Sequence, residues 1–219
     1  MIGNEILSNS LHIISQIFLI PVIIVLLIFI VYATITLGSL IYEYYHRKEM
    51  KVSEIEFFVK SLNNFKQPHE IKDLLKTIQM PKENERLILN LIGNSEISFK
   101  SAEALARSFI EKKELDAAKI IEKTDIVTRL GPTLGLMGTL IPLGPGLAAL
   151  GAGDIRGLSE AIIIAFDTTV IGLAAGGIAY TISKIRRRWY EESISNLYII
   201  AESVLEMMKN AQKKENIDK

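Results

Sequence analysis

Asp167 stands where a charge can do chemistry: it is the only charged residue between Ala161 and Ser183 in an otherwise apolar run. A carboxylate near the middle of a bilayer costs about 2.5–3.5 kcal/mol on insertion scales, so it requires water, a proton or a hydrogen-bonding partner. Such a group can relay an ion or orient water in a pore. It can equally be a protonated or hydrogen-bonded acid tied to a threonine of a neighbouring helix. Threonines accompany it, Thr168 and Thr169 in the same run and Thr139 in an earlier one. Each hydroxyl both donates and accepts, and can hand on a proton or a water in apolar surroundings. The plainer alternative is a hydroxyl bonded back to its own helix carbonyl. In one helix Asp167 and Thr169 stand about 200° apart, so they cannot face the same axis.

Other chemistries find little support. The 219 residues include no cysteine, which excludes thiolate metal sites, and the three histidines (His12, His46, His69) form no ligand pattern. No metal and no cofactor are expected, and no nucleophile–base constellation points to an enzyme. The glycine-rich stretch 131–146 lacks the Lys-Ser/Thr ending of a phosphate loop. The basic cluster Lys184 to Arg188 lies where a membrane flank demands positive charge, so no nucleic-acid partner is expected.

The elements that must position Asp167 and the threonines follow from charge partition. Lysine plus arginine equal aspartate plus glutamate at 25 each, but three long runs carry almost none of this charge, as expected of a chain living in two solvents. Residues 17–42 are uncharged and read as a first transmembrane helix, a retained anchor with Pro21 near its outer end. Residues 130–150 read as a second and 159–183 as a third. The second is dense in glycine and proline. The third carries small residues at helical spacing (Ala161, Ala165, Thr169, Gly172, Gly176, Ala179), as helices packed against protein do. Basic residues flank the spans at Arg47, Lys48 and Lys51, at Lys119, Lys123 and Arg129, and at Lys184 and Arg186–Arg188. By the positive-inside rule the segment 1–16 and the turn 151–158 are external, and 43–129 and 184–219 are cytoplasmic.

The expected fold is an all-α membrane protein, its long helices extending into a cytoplasmic helical domain. In 43–129, Ser53-Glu54-Ile55-Glu56 resembles a capping box opening a helix through Phe58 and Leu62. Gln67-Pro68 punctuates, and Ile71, Leu74, Leu75 and Ile78 form the next apolar stripe. Met80-Pro81 breaks again before Leu87, Ile88, Leu91 and Ile92, and Gly93-Asn94 stops that helix. From Ser98 a long helix runs toward the second span. After the third span, Ile194, Leu197, Tyr198, Ala201, Val204, Leu205 and Met208 share an apolar face.

The second and third spans resemble the MotA/TolQ/ExbB proton-channel family. The resemblance rests on Gly131-Pro132-Thr133-Leu134-Gly135-Leu136-Met137-Gly138-Thr139-Leu140, followed by Ala165-Phe166-Asp167-Thr168-Thr169-Val170-Ile171-Gly172-Leu173. It covers roughly 125–190, and the three-span plan is similar to the ExbB/TolQ branch. Pro142 and Pro145 depart from the family's more usual uninterrupted helix. The resemblance implies a channel-forming subunit of an ion-driven motor in the cytoplasmic (inner) membrane. It also implies a homo-oligomer, typically a pentamer, around an ExbD/TolR-like single-span partner with an intramembrane aspartate. By position it implies an ion pathway at Thr139 and Thr169, with Thr168 and Asp167, and helix packing at Gly135, Gly138, Gly172 and Gly176. A membrane scaffold recruiting cytoplasmic proteins through 43–129 is the alternative.

Overall fold

A computed structural model describes residues 2–47, 50–62, 75, 80–93 and 98–215. Among the described residues there are helices and no strands: α1 (Ile2–His46), α2 (Val52–Leu62), α3 (Lys82–Gly93), α4 (Phe99–Gly151) and α5 (Ile155–Glu215). Helices α1, α4 and α5 are each long and apolar enough to cross a membrane. At 1.5 Å per residue the 53 residues of α4 reach about 80 Å, far beyond the ~30 Å of hydrocarbon. Helix α5 runs without a break from span into tail, because no glycine or proline falls between 178 and 215.

Contacts divide the chain into two units, 1–44 with 120–186 and 45–119 with 187–219. The second unit has a conventional apolar core. Phe58, Leu75, Ile88, Leu197, Ile200 and Val204 lie at its centre, each at most 1% exposed. Of the stripe expected at 71–78 only Leu75 belongs to the described residues. Two starts differ from expectation or refine it. The capping box at Ser53 does not form: α2 begins at Val52, the Lys51 carbonyl accepts from the Glu54 and Ile55 amides, and Glu56 pairs with Lys60 instead. Ser98 does cap α4, its hydroxyl oxygen accepting from the Ser101 amide at 3.3 Å. In the same unit the Arg47 guanidinium lies 5.0 Å from the Trp189 ring centroid and bonds Glu192 at 3.2 Å.

The first unit is held differently. Its apolar core is small, Val127, Ala175 and Ala179 against Phe29, Ile30 and Tyr32, while Ile17, Ile20, Ile28 and Ile35 of α1 stand exposed. Such residues suit lipid, which offers no hydrophobic drive for helices to associate; close packing of small residues must do that work. Helices α4 and α5 form an antiparallel hairpin. Gly153 (φ +79°) occupies the left-handed position after α4, Gly153 donates to Leu150 and Asp154 to Ala149, and the Asp154 carboxylate then caps α5 through the Gly157 amide at 3.0 Å.

Candidate functional site

The hairpin seam is built on glycine. A β-carbon on Gly172 would stand 2.6 Å from the Gly131 carbonyl oxygen and 2.9 Å from Gly135 Cα, and one on Gly176 would stand 2.8 Å from Pro132 Cδ. A β-carbon on Gly138 would meet the Thr168 side chain at 2.6 Å, and one on Gly146 the Ala161 methyl at 2.8 Å. All four glycines read as packing residues therefore sit in this seam. Thr168 sits there too, 5% exposed, its hydroxyl donating back to Ile164 and Ala165 at 2.9 and 3.0 Å.

Thr139 and Thr169 each follow a seam residue by one position, Gly138 and Thr168. One residue turns a helix by 100°. In an antiparallel pair that same step carries both side chains to the same side, so the two threonines share one face of the hairpin. Helix α1 packs on the other side, where Phe29, Ile30 and Tyr32 meet Val127 and Ala175. Both threonines are half-buried. Their hydroxyls donate into their own helices, Thr139 to Leu136 at 2.7 Å and Thr169 to Ala165 at 3.2 Å. With the proton so engaged, each hydroxyl keeps its lone pairs for an outside donor. Exposed Leu136, Phe166 and Leu173 complete an otherwise apolar wall.

Asp167 is not brought to this face. Two residues before Thr169, it points about 200° away, is exposed, and makes no hydrogen bond among the described residues. The four residues read as one pathway thus separate into a threonine pair on the free face, Thr168 in the seam, and Asp167 on the far side.

Three polar contacts escaped the sequence reading. Pro145 has no N–H to give the Ile141 carbonyl four residues earlier, and Gln16 of α1 donates its side-chain amide there at 3.1 Å. That contact accounts for a departure from the family pattern: the carbonyl freed by proline is satisfied from another helix. At the opposite end of the unit, Arg186 (side chain 7% exposed) bonds both carboxylate oxygens of Glu43 at 3.0 Å and the Ser39 hydroxyl at 3.0 Å. A signal existed. Helices α1 and α5 cross in the same direction, so the residues just past the ends of their apolar runs share one depth. Third, the Ser183 hydroxyl donates to the Asp125 carboxylate, joining α5 to α4. Among the described residues, no group of three or more metal-ligating side chains converges.

Three membrane-length helices, two of them locked by a glycine seam, define a multi-pass helical membrane protein. The sequence pattern of the MotA/TolQ/ExbB proton channel family matches residues 55–198. The chain belongs to that family, one of channel-forming subunits rather than enzymes. A comparison with curated proteins finds none that matches.

Proposed function

We propose that copies of this chain, five by family analogy, surround the membrane helices of a single-span, ExbD/TolR-like partner in the cytoplasmic membrane, and that proton flow between them drives mechanical work. The amino terminus is outside, and 43–129 and 184–219 are cytoplasmic, as the basic flanks require. The observation that carries this reading is the pair Thr139 and Thr169, side by side on the hairpin face that α1 leaves uncovered. Leu136, Phe166 and Leu173 make an apolar wall, and the two hydroxyls offer acceptor lone pairs at about mid-membrane. A protonated carboxylic acid on a partner helix has one O–H to donate, and such an acceptor stabilises it more than lipid does. The glycine seam keeps α4 and α5 at backbone contact, which holds the two hydroxyls in register. Asp167, on the far side, stands at a boundary between copies, where water or a neighbour's polar group meets it.

Thr169→Val tests the assignment, because it keeps shape and removes the acceptor. With the chain and its partner reconstituted in liposomes, a pH-sensitive dye should report proton flux in wild type and loss of it, by at least about tenfold, in the variant, with the oligomer intact. A tenfold loss corresponds to about 1.4 kcal/mol, one hydrogen bond to an ionisable group. Unchanged flux rejects the pathway.

A further inference from the structure

Asp125 lies on the same side of the hairpin as Thr139 and Thr169. Counting 100° per residue from Gly131, Asp125 and Thr139 fall within about 40° of one another on α4. Ser183, which donates to the Asp125 carboxylate, likewise falls on the threonine side of α5. Fourteen residues separate Asp125 from Thr139, about 21 Å of helix rise, or roughly half a bilayer plus a turn. Between them is Thr128, whose hydroxyl donates to Thr124 at 2.9 Å. Its carbonyl receives no helical N–H, because the residue four places on is Pro132. It faces the hairpin partner: a β-carbon on Gly176 would stand 3.4 Å from that oxygen.

We infer that Asp125, held by Ser183, is the proton acceptor at the cytoplasmic mouth of the pathway, a role that rests on the function proposed above. A hydronium arriving along the threonine face gives its proton to the carboxylate, forming a carboxylic acid and leaving water. The acid then returns the proton to cytoplasmic water, and the carboxylate is regenerated. Ser183 keeps its O–H bond to the carboxyl throughout and fixes its direction. Asp125 is half-buried, screened from bulk yet within reach of it. Glu122 and Arg129 flank it on α4, and Lys184 and Arg187 flank Ser183 on α5.

Asparagine at 125 still accepts from Ser183 but takes up no proton, so it separates titration from tethering. Flux should fall at least about tenfold in Asp125→Asn with the oligomer intact by size-exclusion light scattering, and should stay within about threefold of wild type in Asp125→Glu. Ser183→Ala removes the tether and keeps the carboxylate; its flux should also stay within about threefold. Wild-type flux in Asp125→Asn overturns the inference, as does an assembled Asp125→Glu as inactive as the asparagine form. If Asp125→Asn fails to assemble, Asp125→Ala assembled with wild-type flux overturns the inference, and Asp125→Ala assembled with flux lost while Asp125→Glu keeps it supports the carboxylate. Thr169→Val separates the two readings. Flux lost there but normal in Asp125→Asn removes only the mouth; flux normal in both removes the pathway itself.

Discussion

Gly172 is the position where one methyl group should cost most. Its β-carbon would stand 2.6 Å from the Gly131 carbonyl oxygen, 2.9 Å from Gly135 Cα and 3.1 Å from Gly135 N. All three are backbone atoms of α4, so no side-chain rotation relieves the clash. Ordinary contact begins at 3.4 Å, and α5 must therefore withdraw by about 0.8 Å at this level. A gap of that size forfeits a quarter to a half of each dispersion contact along the seam. Overpacking of a tight interior costs about 1–3 kcal/mol, and backbone against backbone argues for the upper end. Gly177 is the control, five residues on in the same helix with nothing within 4 Å of its β-position. There alanine should be neutral or mildly favourable by helix propensity. At ~2–4 °C per kcal/mol for a chain of this size, Gly172→Ala should melt about 4–10 °C below wild type in detergent, and Gly177→Ala within about 2 °C of it. The same withdrawal moves Thr169 away from Thr139, so flux should fall with stability. Equal melting of the two variants would refute the claim that backbone contact, rather than general lipid packing, holds the hairpin.

Gln16→Leu should leave the Ile141 carbonyl without a donor and destabilise the first unit by about 1–3 kcal/mol, whereas in a Pro145→Ala background, where the residue-145 N–H can bond that carbonyl, the same change should cost much less; the double-mutant cycle measured by thermal melting checks it. Outside the spans, the Lys113 ammonium bonds Glu83 between α4 and α3 and holds the Glu83 carboxyl below its ordinary range. Stability from this pair is present above the unfolded glutamate value of about 4.3 and is lost as pH falls through the lowered folded value. Chemical denaturation of wild type and Glu83→Gln from pH 7 to 3 should show the two converging at the acid end, and a constant difference would contradict it.

The presence of three membrane-length helices was legible because hydrocarbon imposes a length and a composition on any helix that crosses it, and α1, α4 and α5 meet both. The packing role of Gly135, Gly138, Gly172 and Gly176 was legible for a related reason: backbone approach in a membrane demands residues without side chains. Helix ends were less so. Ser53 and Glu56 have the right spacing for a capping box, yet Lys51 supplies a carbonyl one turn earlier and Lys60 draws Glu56 away. Helix α5 continues past Ser183 because hydropathy marks where lipid ends, and a helix stops only where its backbone is broken.

What stayed hidden were the polar groups whose meaning depends on a partner more than a hundred residues away. Gln16 reads as a polar residue before an apolar run, and Pro145 as a helix breaker; together they are one hydrogen bond. Arg186 reads as one of four basic flanking residues, yet it reaches Glu43 and Ser39 on another helix. The same logic divides Asp167 from Asp125. Asp167 draws attention because its neighbours in sequence are apolar, but the turn of the helix puts it away from both threonines. Asp125 attracts none, lying among the charges of 111–129, yet the same turn aligns it with them and Ser183 fixes it there. Periodicity within one helix says which residues share a face. Only the antiparallel pairing of α4 with α5 says that the Thr139 face and the Thr169 face are the same one, and this is the step from which the proposed pathway and its proposed mouth both follow.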